Sequence, residues 1–125
     1  MILLSSELHE RLLANGRQCD VDHVPVVKFF NPLGAATWLA TELDEDNDTL
    51  FGLADLGFGC PELGAFSLTE MASVRLPLGL GIERDLWFEG TFPISVYAAV
   101  ARTAGQIVLD DELLQAAADA LRTTE

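Results

Sequence analysis

The sequence predicts an α+β fold: a mostly antiparallel sheet of about five strands with an N-terminal helix, a short central helix and one or two C-terminal helices. Three observations support this. Apolar residues follow helical spacing near both ends of the chain, five segments have strand character, and no internal repeat or linker divides the chain. With 125 residues, half of them hydrophobic, the chain is predicted to form a single domain over residues 1–125. We expect the helices to cover one face of the sheet.

Two helices are predicted before the C-terminal part of the chain. Over residues 6–14, leucines recur at helical spacing, and the Asn-Gly pair at 15–16 supplies a helix stop. A short helix at 68–74 follows Ser67, which begins an S-x-x-E capping box with Glu70. Each of these segments therefore carries a signal for where its helix begins or ends.

The C-terminal part is predicted to contain one or two further helices. Ser95 can cap the first of them, and Gly105 would stop it. Asp110 can cap the second, a C-terminal helix over residues 110–122. The apolar residues of this last helix form one stripe, which indicates an amphipathic helix.

Five segments are rich in the β-branched and aromatic residues that favour strands. The Asn-Pro-Leu-Gly sequence at 31–34 is a turn between the first two. Gly52 and Gly57 weaken the third segment, where a bulge is expected. The predicted strands are "VPVVKFF" (24–30), "ATWLATELD" (36–44), "TLFGLADLGFG" (49–59), "CPELGAFSL" (around 64–66) and "IERDLWFEG" (82–90).

The charge of the chain excludes direct binding to DNA or RNA. The sequence has 20 acidic and 7 basic residues, a formal net charge of −13, whereas phosphate binding needs lysines and arginines that displace counterions. A basic protein partner is therefore favoured, and the oligomeric state is left open. The start of the chain lacks the basic region of a signal peptide, no apolar run is long enough to span a bilayer, and two cysteines suit a reducing compartment. We therefore predict a cytoplasmic protein.

The segment "DEDNDTLFGLAD", residues 44–55, has the carboxylate spacing of a calcium loop. Counted from Asp44, acidic residues fall at four of the ligand positions of an EF-hand loop. Thr49, however, occupies the position where such a loop needs Gly, and predicted strands flank the segment in place of helices. A polar turn between two strands is favoured, because Asp and Asn tolerate turn geometry.

No catalytic residue, metal or cofactor is predicted. The sequence has no nucleophile elbow, no P-loop and no G-x-G-x-x-G motif. The "CDVDH" segment at 19–23 contains metal-ligating residue types, but no second Cys/His pair follows it. We interpret it as a polar loop.

Arg84 raises the question of a ligand pocket. In the strand predicted at 82–90 it shares the apolar face, where an unpaired cation would be costly. We expect Glu42 or Asp55 on a neighbouring strand to pair with it. Two interpretations stay open: a structural ion pair at the sheet edge, or a pocket in which Arg84 binds an anion beside a tryptophan. The candidate pocket residues are Glu42, Asp55, Glu83, Arg84, Asp85, Trp38 and Trp87.

The words "VKFF", "TWLATELD", "FGLADLGFGCPELG", "SLTE" and "GLGIERDLWF" occur in this order within residues 27–88. In them the chain resembles the family of domains of unknown function numbered 2958, over about residues 3–105. The family has no assigned activity, so the resemblance carries over no catalytic residue. Its members look typical of bacterial plasmids, integrative elements and phage-like regions, sometimes joined to antirestriction-type domains. The resemblance therefore implies a role in plasmid maintenance or in countering host defence.

Two functions of different classes follow. The favoured one is a non-enzymatic acidic binding protein of a mobile genetic element. It would counter host defence by engaging a basic nucleic-acid-binding protein, with carboxylates mimicking the phosphates of nucleic acid. The alternative is a small-ligand-binding protein or hydrolase-like enzyme that uses the Glu/Asp/Arg group. The candidate acidic interaction surface comprises Asp44, Glu45, Asp46, Asp48, Asp110, Asp111 and Glu112.

Overall fold

The computed structural model describes residues 2–123, which contain the strands β1 (Val27–Phe30), β2 (Thr37–Leu43), β3 (Thr49–Asp55), β4 (Glu62–Ser67) and β5 (Glu83–Arg84). These strands form one antiparallel sheet in the order β4-β3-β2-β1-β5. The helices of the same residues are α1 (Ser6–Gly16), α2 (Leu68–Ser73), α3 (Ile94–Ala104) and α4 (Asp111–Thr123), with a 3₁₀ turn at Pro77–Gly79. The predicted α+β class is confirmed.

Helices pack on both faces of the sheet, so the prediction that they cover one face is wrong. Neighbouring residues of a strand point to opposite sides of its sheet. In β2, Ala40 belongs to a core that includes residues of α1, whereas Leu39 belongs to a second core with α3 and α4. Both residues are fully buried. We call the two sides of the sheet the α1 face and the α3 face.

Each face has its own apolar core. On the α1 face, Leu12 of α1 is buried together with Phe29 and Leu50 of the sheet. On the α3 face, Leu53 is buried together with Leu114 of α4. Burying a side chain of this size contributes about 1.5–3 kcal/mol, so both layers of helices contribute to stability. Within residues 2–123, none of the helices combines the length and apolar character that crossing a bilayer requires.

The pairing of β2 with β3 contains a bulge. Ala40 pairs with Gly52 and Glu42 pairs with Phe51, which leaves Thr41 as the extra residue. Thr41 is buried, and its hydroxyl donates a hydrogen bond of 3.2 Å to the carbonyl oxygen of Phe51. The bulge that the sequence predicts in the third strand therefore lies in β2, opposite that strand's Gly52.

The fifth strand is far shorter than the segment 82–90 from which it was predicted. After Arg84 the chain turns, because the carboxylate of Asp85 accepts a hydrogen bond of 2.9 Å from the N–H of Trp87. The alternation of faces predicted for this segment therefore ends at Arg84. Trp87 is 94 % exposed on the turn.

Side chains cap α2 and α4 in their first turns. Ser67 accepts a hydrogen bond from the N–H of Glu70, and Asp110 caps α4, as predicted. At α3 the predicted cap is wrong, because Ser95 lies inside the helix. Its N–H and hydroxyl both donate to Asp22 from a distant part of the chain. Asp22 therefore ties the loop before β1 to the start of α3.

Substituting Gly52 by Ala should lower the free energy of unfolding by about 1–3 kcal/mol. A Cβ at Gly52 would overlap the carbonyl oxygen of Leu39 on β2, and neither backbone can yield without breaking the ladder. Gly64, the residue directly opposite on β4, is a matched control, since a Cβ there meets nothing within 4 Å. Urea unfolding of the two variants measures the difference. Equal losses for Gly52→Ala and Gly64→Ala would contradict the close approach of β2 and β3.

Candidate functional site

The predicted pocket residues divide between the two faces of the sheet. A row of directly opposed residues runs from Arg84 through Phe29 to Trp38, and Phe29 belongs to the core of the α1 face. The neighbouring row places Glu83 and Asp55 on the α3 face. Arg84 and Asp55 therefore point to opposite sides of the sheet. The ion pair expected between them does not form.

Arg84 is half-buried and bound to the N-terminal segment. Its Nη1 donates a hydrogen bond of 2.9 Å to the carbonyl oxygen of Leu3. Leu3 is itself buried in the core of the α1 face. Arg84 thus connects the short strand β5 to the chain that precedes α1, which is a structural role.

Asp55 holds two loops together at the end of β3. Its side chain is only 4 % exposed, and it accepts hydrogen bonds of 2.9 Å from the N–H of Gly57 and 3.0 Å from the N–H of Ile107. The first bond shapes the start of the β3–β4 loop, and the second secures the segment between α3 and α4. The carboxylate is therefore occupied by backbone donors.

Glu42 lies on the α3 face, beyond the bulge and opposite Phe51. Partial burial raises the pKa of its carboxyl above the usual value, and nearby His23 acts in the opposite direction. Arg84 is on the other face, so it does not pair with Glu42. The raised pKa thus reflects burial at the end of β2.

The remaining pocket candidates also make separate contacts. Asp85 forms an ion pair of 3.4 Å with Lys28 on the neighbouring strand, and Trp87 points into solvent. Trp38 is half-buried against the α1-face core. The structure therefore does not bring the seven candidate side chains together in one pocket. It distributes the seven side chains over both faces and the sheet edge.

The acidic segment 44–48 forms the turn between β2 and β3, as the sequence predicts. The carboxylate of Asp46 accepts hydrogen bonds of 2.8 Å from the N–H groups of Asp48 and Thr49 and one of 2.6 Å from the Thr49 hydroxyl. Asn47 has a φ of 59°, a conformation that Asn tolerates better than most residues. Asp46 therefore holds the turn closed.

Asp48 connects this turn to the start of α2. Its carboxylate accepts hydrogen bonds of 2.8 Å from the N–H of Thr69 and 2.9 Å from the hydroxyl of Ser67. Hydrogen bonds from Thr69 and, to a smaller extent, from Ser67 lower the pKa of Asp48. In the same way, hydrogen bonds from Thr49 and from the backbone N–H of Asp48 lower the pKa of Asp46. Both carboxylates therefore stay ionised well below neutral pH.

The turn retains most of its negative charge. Arg17 forms an exposed ion pair of 2.9 Å with Glu45, so four carboxylates and one guanidinium leave a net charge of −3 on this surface. We call residues 44–48 the acidic turn. Residues 44–47 are exposed and Asp48 is half-buried, so most of this negative charge lies at the surface.

The second acidic segment lies apart from the acidic turn. Asp110 accepts hydrogen bonds from the N–H groups of Glu112 and Leu113 at the start of α4, while Asp111 and Glu112 are exposed. Asp110 follows Ile107 by three residues, and Ile107 is bound at the end of β3 away from the acidic turn. The seven acidic candidates therefore form two surfaces.

The residues of the "CDVDH" segment at 19–23 make separate structural contacts and do not surround a common metal site. Asp22 caps α3, and the Nε2 of His23 lies 2.7 Å from the carbonyl oxygen of Gln18. Cys19 is an exposed free thiol. Among residues 2–123, no group of three or more His, Cys, Asp or Glu side chains is placed to hold a metal ion.

A cleft of about 450 Å³ was missed by the sequence analysis. It lies between α1, residues 23–26 and residues 88–90, and its polar lining includes Arg11, His23 and Glu89. Three segments distant in the sequence supply these side chains, so no motif could have revealed the cleft. Its walls carry charges of opposite sign, which gives it no clear preference for anions or cations.

One comparison with known proteins bears on the chain. A family model described as "Protein of unknown function (DUF2958)" matches residues 3–108, a range that includes the whole sheet and α1 to α3. No curated protein matches the sequence, and no solved structure matches it. The family resemblance deduced from the sequence is confirmed, and the match brings no assigned activity.

Replacing Asp55 by Ala should lower the free energy of unfolding by about 2 kcal/mol, because the N–H groups of Gly57 and Ile107 would lose their acceptor. Asp20 is exposed and serves as the control, since Asp20→Ala removes the same charge. Chemical unfolding monitored by circular dichroism gives the comparison. If both variants are as stable as the wild type, Asp55 does not hold these loops.

Replacing Asp48 by Asn should lower the melting temperature at pH 7 through weaker bonds to Ser67 and Thr69. A carboxyl with a lowered pKa in the folded protein stabilises it above the unfolded pKa, about 3.8, and this stabilisation is lost as pH falls through the folded value. The difference between wild type and Asp48→Asn should therefore shrink below about pH 4. Thermal melts across pH test this. A difference that stays constant with pH would contradict the assigned role of the ionised carboxylate.

Proposed function

The chain belongs to DUF2958, a protein family of unknown function, and we propose that this member is a non-enzymatic protein that binds a basic partner protein through its acidic surface. The proposal is supported by one observation above all: the acidic turn concentrates four carboxylates within five residues on an exposed, hydrogen-bonded hairpin. Charged groups that are already ordered need no reorganisation when a partner arrives. An excess of acid over base of 20 to 7 adds a long-range attraction for cationic proteins.

The partner we propose is a nucleic-acid-binding protein, because such proteins present lysines and arginines to phosphates. Carboxylates that occupy the same groove would compete with nucleic acid and share its salt dependence. We further propose that the protein is encoded by a mobile genetic element and acts in the cytoplasm against a host defence system. The family resemblance supports this. The acidic turn is the part of the surface that we assign to this contact, with Asp111 and Glu112 as a second acidic surface.

In the described part of the chain, the side chains on which the ligand-binding or hydrolase alternative depends do not converge. This alternative requires Arg84 to meet Glu42 or Asp55, and these carboxylates lie on the other face of the sheet. The 450 Å³ cleft contains none of these side chains in its lining. We therefore propose the binding function alone.

The proposal predicts that nuclease-treated bacterial lysate contains basic proteins that the immobilised chain retains at about 50 mM salt and releases at about 500 mM. Each retained protein is then tested for displacement of its labelled nucleic acid by the free chain. The variant Asp44→Asn with Glu45→Gln should weaken displacement by about three- to tenfold. It leaves unchanged Asp46 and Asp48, which hold the turn.

The matched control is Asp20→Asn with Glu89→Gln, which removes the same charge from two other exposed positions. It should bind nearly as the wild type does. The proposed function is refuted when no basic protein is retained at low salt. The assignment of the contact to the acidic turn is refuted when the control loses as much affinity as the turn variant.

A further inference from the structure

The two edge strands of the sheet differ in length and in how far they are protected from pairing with another strand. At one edge, β5 is two residues long and ends in the turn at Asp85. At the other edge, β4 runs for six residues, from Glu62 to Ser67, and within residues 2–123 it pairs only with β3. A short, turned strand is a common protection for a sheet edge. Only the β5 edge has it.

The outer side of β4 is open in the described part of the chain. Each of its residues is either exposed or half-buried. Within residues 2–123, its backbone makes hydrogen bonds only to β3. In an antiparallel pair, alternate residues direct their N–H and C=O groups away from the partner strand. About half of the β4 residues therefore present both groups to the outside.

The usual obstacles to pairing are also missing from β4. Its register with β3 continues over six consecutive pairs without a bulge, and the sequence "ELGAFS" contains no proline or lysine. Gly64 in its centre leaves open space, since a Cβ there would meet nothing within 4 Å. A further strand could therefore approach along the whole length of β4.

The charge around β4 determines what kind of strand fits. Glu62 is exposed at one end of the strand, where exposed Arg102 of α3 lines the same groove. At the other end, Asp48 is bound to Ser67, and exposed Glu70 follows in the first turn of α2. A second copy of the chain would bring the same carboxylates and a net charge of −13 against them. A segment with lysines or arginines would meet them favourably.

We propose that β4 is a docking edge at which an extended, basic segment of a partner protein adds a sixth strand to the sheet. This inference rests on the proposed function, since it assigns a binding mode to the same class of basic partner. Backbone hydrogen bonds supply affinity, and the carboxylates at both ends of β4 select for basic side chains. The two ends are separated by about 17 Å, so the basic residues of the segment lie about five positions apart.

The probe is a synthetic peptide of about eight residues with one lysine near each end, five positions apart, and with valines and threonines at the other positions. Amide resonances of the ¹⁵N-labelled full chain are followed during titration. Binding should shift the amides of residues 62–67. N-methylation along one edge of the peptide should weaken binding by about tenfold or more, whereas N-methylation along the opposite edge should have little effect. A glutamate version of the peptide should not bind.

Substitution in the protein provides a second test. Glu62→Gln with Glu70→Gln should weaken peptide binding by about three- to tenfold, and the control Asp20→Asn with Glu89→Gln should not. These positions are exposed, so neither variant is expected to disturb folding.

The outcomes separate this inference from the proposed function. Shifts confined to residues 44–48, or equal binding by both N-methylated peptides, overturn strand addition at β4 and leave the acidic binding function standing. Sedimentation that shows a dimer whose contact protects the amides of residues 62–67 also overturns it, because the occupant would be a second copy. Shifts at 62–67 with sensitivity to methylation on one edge support strand addition even if no lysate protein competes with nucleic acid.

Discussion

The burial of β2 on both of its faces is the constraint on which the rest of the structure depends. Leu39 and Ala40 are neighbours with no exposed surface, so the strand can be stable only between two apolar layers. α1 supplies one layer, and α3 with α4 supplies the other. The bulge at Thr41 keeps Leu43 directed to the α1 core while Glu42 faces the opposite side. The three-layer arrangement follows from this single strand.

Aspartate carboxylates hold many of the loops and helix starts that connect these layers. The acidic composition therefore has a structural role as well as an effect on the surface charge. Several aspartates accept hydrogen bonds from backbone N–H groups at turns and helix starts. Such side chains hold the connections in place and retain their charge at the surface. The surplus of acid is thus partly structural, and the binding role that we propose would use groups that the fold has already ordered. The aspartates in these positions are Asp22, Asp44, Asp46, Asp48, Asp55, Asp85 and Asp110.

Local signals predicted the fold class and most of its elements, but they did not predict which distant side chains meet. The turn residues at 31–34 and 44–48 mark the first hairpins, and Ser67 and Asp110 mark helix starts, because each acts over a few neighbouring residues. The capture of Ser95 by Asp22 depends on a contact between distant segments, which no local pattern contains. The grouping of the candidate pocket residues depends on such distant contacts as well. Whether Arg84 and Asp55 share a face depends on the register of four strands, and shifting one of them by a residue exchanges the faces.

The strand order has a consequence for how the chain reaches this structure. β1 to β4 form a meander in which each strand pairs with the one next to it in sequence. Closing such short loops carries a small entropic cost, so these hairpins can assemble early. β5 must instead return across the whole meander to reach β1. Only two residue pairs connect these strands, so the pairing contributes little stability. The topology therefore predicts that β5 attaches to β1 after the meander has formed.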